Sequence, residues 1–167
     1  LTDKLTFTSG LRLEQRNANY QNSNVSDATL FAKDLTDNMV GGKLVLAYQQ
    51  NEDSLWYAQI DRGYKAGGAN TDGTLPTELR TFAPEYVWNY ELGYKVSLLN
   101  NQAYLRTAIF YMDRKDVQVQ SSKTIVHADG SSEFTIFLDN AASGTNQGIE
   151  VEGGWQINNL VEAYGSI

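Results

Sequence analysis

Polar and apolar residues alternate along most of this chain, and two alternating runs meet back to back in "YELGYKVSLLNNQAYLRTAIFY", residues 90–111. One face of that stretch carries Tyr90, Leu92, Tyr94, Val96 and Leu98, then Ala103, Leu105, Thr107, Ile109 and Tyr111, with no charge among them. The other holds Glu91, Lys95 and Arg106 beside Gly93, Ala108 and Phe110. Such alternation belongs to a β-strand, whose successive side chains point to opposite faces. It predicts strands over about 4–16, 40–50, 54–64 and 87–99, a fifth from about 102, a sixth ending near 156 and a seventh starting near 160. No stretch has a helical period. "NED" (51–53), "NN" (100–101) and "INN" (157–159) read as tight turns, whereas 17–39 and 65–85 read as long loops.

Tight turns fix register, because residues directly opposite one another share a face. A turn at Asn100-Asn101 sets Val96 opposite Leu105, Leu92 opposite Ile109 and Tyr90 opposite Tyr111. A loop at 51–53 sets Tyr48 opposite Trp56 and Leu44 opposite Ile60, with Lys43 facing Asp61 on the other side. A loop at 157–159 sets Trp155 opposite Val161. In "KTIVHADGSSEFTIF" (123–137), Asp-Gly marks a further hairpin. A two-residue turn there would bring Glu150 onto the charge-free face opposite Ile109. A three-residue loop, Asp129-Gly130-Ser131, avoids this by setting Tyr111 opposite Ile149, Ile109 opposite Val151, Thr107 opposite Gly153 and Leu105 opposite Trp155. One long hairpin with its tip at Gly130 is the expectation.

The charge-free face meets either lipid or the core of a soluble β-sandwich. Tyr48, Trp56 and Trp155 lie beside short turns, and Tyr90 and Tyr111 lie toward the other end, where two interfacial aromatic girdles belong. Apolar runs reach only five residues ("LVLAY", 44–48), too few for a transmembrane helix. A strand, by contrast, crosses the hydrocarbon with about 9–11 residues. The counts of 10 Tyr and 3 Trp against 2 Pro suit strands with aromatic ends. The fold class expected is all-β, an antiparallel up-and-down transmembrane β-barrel segment of about seven strands, with short periplasmic turns and long extracellular loops. On this reading Leu92→Arg damages assembly far more than Gly93→Arg, whose side chain would enter the lumen.

Three stretches carry a more specific message. "YAQIDRGYKAGGAN" (57–70), "FAPEYVWNYELGYKVSLLNNQAYLRTAIFYMDRKDVQVQ" (82–120) and "NQGIEVEGGWQI" (146–157) resemble TonB-dependent outer-membrane receptors of the siderophore-receptor type. The motifs are Gly63-Tyr64-Lys65-Ala66-Gly67-Gly68, Pro84-Glu85, Tyr90-Glu91-Leu92-Gly93-Tyr94-Lys95, Phe110 to Gln118, and Gly148-Ile149-Glu150 with Glu152. Residues 1–56 fit only as barrel strands. The resemblance implies a barrel of about 22 strands closed by a plug domain. Residues 1–167 are then expected to be an internal part of that barrel, with neither plug nor TonB-box and without its terminal strand.

The function so implied is TonB-energised uptake of a ferric siderophore or similar scarce nutrient across the outer membrane of a Gram-negative bacterium. The alternative is a passive porin-like or adhesin barrel. Expected partners are outer-membrane lipid, the ferric siderophore or other small nutrient, and TonB acting through the plug. Nucleic acid is not an expected partner, because Lys plus Arg is 13 against 20 Asp plus Glu, a net charge of −7. At the rim, Arg62, Tyr64 and Lys65 are candidates to contact an anionic chelate, or they simply solvate the barrel mouth. Glu91, Lys95, Arg106, Glu150 and Glu152 face the lumen by parity, to meet a plug or to pair across strands. The chain has no Cys and one His, His127, so we expect no catalytic residue, no metal site and no cofactor. His127 is read as a solvated loop residue rather than an iron ligand, Gly67-Gly68 as a turn, and the sequon Asn24-Val25-Ser26 as without function.

Overall fold

A computed structural model describes residues 3–23, 30–73, 75–140 and 143–167. Its strands are β1 (Leu5–Ser23), β2 (Leu30–Asn51), β3 (Ser54–Lys65), β4 (Gly68–Ala69), β5 (Thr81–Phe82), β6 (Glu85–Leu98), β7 (Ala103–Lys115), β8 (Gln118–Val126), β9 (Ser132–Asn140), β10 (Ser143–Asn158) and β11 (Val161–Ser166). Seven of them form one antiparallel sheet in the order β1-β2-β3-β6-β7-β10-β11, while β4-β5 and β8-β9 are separate two-stranded ribbons. A 3-10 turn at Thr77–Leu79 is the sole helical element among the described residues.

Among the described residues no second sheet covers the apolar face. Among the described residues the buried hydrophobic side chains are Phe31, Met39, Leu75 and Phe137, none of them from the charge-free face of β6 and β7. Leu92 and Ile109, opposite each other on that face, are 52% and 57% exposed. An apolar face this size left to water would be an aggregation surface, so the sandwich alternative lacks its core and the lipid reading keeps its own.

The β2–β3 and β6–β7 hairpins hold the expected registers: Tyr48 opposite Trp56, Leu44 opposite Ile60, Lys43 opposite Asp61, and Tyr90 opposite Tyr111. At the β6–β7 turn Asn100 and Asn101 take φ of 55° and 67°, a left-handed backbone that Asn tolerates.

Three expectations needed correction. Residues 17–39 are not a loop, because β1 and β2 remain paired from Leu5 opposite Tyr48 to Ser23 opposite Leu30. The outer face changes from Leu11 and Leu13 to Gln15, Asn17 and Asn19, so the apolar alternation stops where the hairpin leaves the hydrocarbon. The ladder continues in water, braced by hydrogen bonds between directly opposed side chains. Gln15 Nε2 donates to Asn38 Oδ1 (3.0 Å), Thr36 Oγ1 to Asn17 Oδ1 (2.9 Å) and Asn19 Nδ2 to Asp34 Oδ1 (2.6 Å). The sequon Asn24-Val25-Ser26 lies outside the described residues.

The second correction concerns β11. Trp155 pairs with Ala163, not Val161. Asn158 Oδ1 accepts the Leu160 N–H (2.8 Å), closing the turn at Asn159-Leu160, and a bulge between Gln156 and Asn158 absorbs the difference.

The third concerns the long hairpin. It exists, but Tyr111 pairs with Gln147, Ile109 with Ile149, Thr107 with Val151 and Leu105 with Gly153. The tip closes one residue earlier than expected, over Ala128-Asp129-Gly130, with the His127 N–H donating to Ser131 O (2.9 Å) and the Gly130 N–H to His127 O (3.0 Å). Gly130 is the left-handed residue, φ +85°, as a three-residue loop of this kind requires. Moving the tip by one residue moves the pairing by two, so every side chain keeps its face.

Candidate functional site

The sheet register brings the five parity-assigned charges to one recess on the inner face. Glu91, Lys95, Arg106, Glu150 and Glu152 line it together with Tyr57, Thr107 and Ala108. Lys95 and Arg106 are direct cross-strand neighbours, a like-charge pair that costs stability unless compensated. Two tyrosines compensate it. Lys95 Nζ sits 5.0 Å from the Tyr57 ring centre, and Arg106 lies 4.6 Å from that of Tyr104 while its Nη1 reaches Glu152 Oε1 at 3.2 Å. The Tyr57 hydroxyl donates to Glu91 (2.5 Å) and the Tyr104 hydroxyl to Glu152 (3.1 Å). The wall is thus a ring-and-carboxylate lattice, and pairing across strands is realised at Arg106–Glu152.

Sequence reading missed what holds those rings down. Tyr57 is opposite Gly93, Tyr104 opposite Gly154 and Phe110 opposite Gly148. Each ring lies over its glycine: a Cβ on Gly93 would sit 2.2 Å from the Tyr57 ring, and one on Gly154 2.5 Å from that of Tyr104. This is aromatic cover of sheet glycines. Three glycines opposite three aromatics become visible only with the β3–β6 and β7–β10 registers, which no tight turn sets in the sequence. This cover also corrects the expectation that Gly93 is a permissive lumen position. Gly93→Ala should displace the Tyr57 ring, break its bond to Glu91 and cost about 1–3 kcal/mol. Gly10→Ala, with nothing within 4 Å of the added carbon, should stay within about 0.5 kcal/mol of the parent in urea unfolding of the full-length barrel.

The three rim candidates do not converge. By register Arg62 falls opposite Trp88 on the face of Ile60 and Tyr90, and its guanidinium lies 4.2 Å from the Tyr86 ring centre and 5.7 Å from that of Trp88. Its Nη1 donates to Val40 O (2.9 Å), so the charge is held in the wall. The Tyr64 ring crosses Gly41, where a Cβ would lie 2.9 Å from the ring edge, and its hydroxyl donates to Glu14 Oε2 (2.9 Å). Arg12 also pairs with Glu14. Lys65 alternates to the opposite face, beside Glu85, and is exposed. Gly67-Gly68 is not a turn: a Cβ on Gly67 would lie 2.5 Å from Phe82 O and one on Gly68 2.5 Å from the Phe82 ring, so the glycines permit close packing of β4 on β5. His127 faces Glu133 at 3.5 Å. Among the described residues no group of three or more His, Cys, Asp or Glu could hold a metal ion.

Comparison with known proteins agrees with this architecture. The family profile described as TonB dependent receptor-like, beta-barrel, matches residues 1–166. The pesticin receptors of Yersinia enterocolitica and Yersinia pestis are 27% identical over 158 residues, which is 93% of this chain and 22% of theirs. The crystal structure of the ferric yersiniabactin uptake receptor FyuA from Yersinia pestis superposes with a TM-score of 0.69 at 25% identity, covering 95% of this chain and 23% of that one. The ferric-catecholate import receptor Fiu of K12 E. coli shares the fold, with a TM-score of 0.61 at 16% identity over 95% of this chain and 24% of its own. The chain thus spans about a fifth of the length of these relatives. A profile match over nearly every residue, one sheet whose β6 and β7 carry no charge on the outer face from Tyr90 to Tyr111, and tight turns at one end identify the chain as a member of the TonB-dependent receptor β-barrel family.

Proposed function

We propose that the protein is an outer-membrane receptor that takes up a ferric siderophore or a similar scarce nutrient, energised through TonB. The observation that carries this reading is the match, over 95% of the chain, to a ferric yersiniabactin uptake receptor, joined to 27% identity with the pesticin receptors. The wall supports it: the outer face of β6 and β7 is free of charge from Tyr90 to Tyr111 and suits lipid, and the inner face presents fixed carboxylates and cations to a plug. At the rim, Lys65 is the cation left open to solvent for an anionic chelate, while Arg62 and Tyr64 shape the wall beside it.

The test is growth under iron limitation and uptake of radio-iron chelates by cells with and without the full-length receptor, each with TonB intact or inactivated. Uptake that requires both supports the proposal. Uptake that survives loss of TonB would instead identify a passive barrel. Lys65→Glu should weaken chelate binding roughly tenfold without lowering the amount of folded receptor, since about one charge-assisted contact is lost.

A further inference from the structure

The connection between β3 and β6 is wedged between two long hairpins rather than free in solvent. On one side it meets the water-borne end of β1–β2. Arg16 Nη2 donates to Gly67 O (2.6 Å), Asn22 Nδ2 donates to Thr71 O (2.7 Å), and the Arg80 guanidinium lies over the buried Phe31 ring at 5.7 Å. Arg80 also gathers the connection's own carbonyls, donating to Leu75 O and Gly73 O, and Leu75 is 1% exposed.

On the other side it meets β8–β9 through two reciprocal asparagine clamps. Asn70 Oδ1 accepts the Leu138 N–H (2.9 Å) while its Nδ2 donates to Leu138 O (2.8 Å). Asn140 Oδ1 accepts the Ala83 N–H (2.7 Å) while its Nδ2 donates to Ala83 O (3.1 Å). A carboxamide has the donor and acceptor of a peptide group, so each side chain stands in for one rung of a β-ladder. One clamp reaches out from the connection and the other reaches back. Gln118 Nε2 adds bonds to Ala66 O (2.8 Å) and Ala83 O (3.1 Å).

The β8–β9 ribbon needs such support. Its strands form no backbone ladder with the seven-stranded sheet, and the chain leaves β7 through Asp116 with φ 53°. Phe137 and Thr135 on β9 are nonetheless buried.

We propose that the connection, residues 66–73 and 75–83, is a splint that locks the β1–β2 hairpin to the β8–β9 ribbon, so that the extracellular end on this side moves as one body. A displacement imposed on either hairpin is then passed to the other through Asn70 and Asn140. The splint stands whether or not the cargo is a ferric chelate, because every contact it uses lies within this chain.

Spin labels at two exposed positions, Gln21 on β1 and Thr124 on β8, read the coupling in the full-length receptor in lipid nanodiscs. Pulsed dipolar spectroscopy should give one narrow distance distribution in the parent. In the Asn70→Leu, Asn140→Leu double variant, which loses both clamps while keeping the side-chain branching and heavy-atom count, its width should at least double. Exchange of the Leu138 amide should quicken about tenfold, since its acceptor is removed. Heat-modifiable gel mobility verifies that the barrel has folded. If the leucine pair does not fold, Asn70→Asp with Asn140→Asp removes the two Nδ2 donors but keeps an oxygen for the Leu138 and Ala83 N–H groups, so the distance width alone is then the readout. An unchanged distance width in any folded double variant would overturn the splint.

Discussion

Leu92→Arg is expected to block assembly of the full-length barrel, while Thr8→Arg leaves it folded. Leu92 stands opposite Ala58 and Ile109 on the outer face, between Tyr90 and Tyr94. An arginine there enters hydrocarbon and costs about 2–4 kcal/mol at the midplane. Thr8 stands opposite Val45 on the other face of the sheet and is exposed, so its substitute reaches the water-filled side. Heat-modifiable mobility and the amount of receptor in the outer-membrane fraction report the outcome. Equal damage from both would mean that each face of the sheet is packed. Gly93→Arg cannot serve as the inner control, because the Tyr57 ring already occupies the space above that glycine.

The second large effect sits where the long hairpin leaves the sheet. The Glu85 side chain is only 9% exposed, takes two hydrogen bonds from Arg114 and accepts the Gln118 N–H at 2.9 Å. Arg114→Ala strands that carboxylate. Breaking a buried pair from one side costs about 3–5 kcal/mol, and the 39% exposure of Arg114 places this case near the lower figure. Adding Glu85→Gln to Arg114→Ala should recover most of the loss, which a double-mutant cycle in urea measures directly. Acid should imitate the single mutant. Burial acts to raise the Glu85 carboxyl, but the bonds from Gln118 and Arg114 outweigh it and hold the group below its ordinary value. A lowered carboxylate stabilises fully above its unfolded pKa, so this contribution fades as pH falls from the ordinary glutamate range through the lower folded value. A stability profile flat across that window in the parent, or one unchanged in Glu85→Gln, would refute the assignment.

The sequence made the wall legible because lipid imposes a single rule. Tyr90 to Leu98 and Ala103 to Tyr111 each keep charge off one face, and a two-residue turn between them leaves one register that satisfies both. That rule lapses above the membrane. From Gln15 on β1 both faces are polar, so strands that run on to Ser23 looked like loop. The rim reading failed to converge for a related reason. Arg62 and Lys65 lie only three positions apart, yet strand alternation and a pair of outer aromatics, Tyr86 and Trp88, send the arginine to the other face. The Asn70 and Asn140 clamps join segments 68 and 57 positions apart, and no local pattern announces an asparagine that completes a distant ladder.

One property of the long hairpin bears on how such receptors diversify. The ribbon β8–β9 and the wall strands β7 and β10 share a single register from Val126 opposite Ser132 down to Ala103 opposite Trp155. Length can therefore be added or removed at the tip in matched pairs, one residue on each arm, without altering a single contact in the wall. An unmatched single insertion on one arm, unless a bulge absorbs it, slides the arms past each other and turns lipid-facing positions inward. Length polymorphism at this tip should accordingly come in even steps, with odd steps accompanied by a new bulge above Lys115.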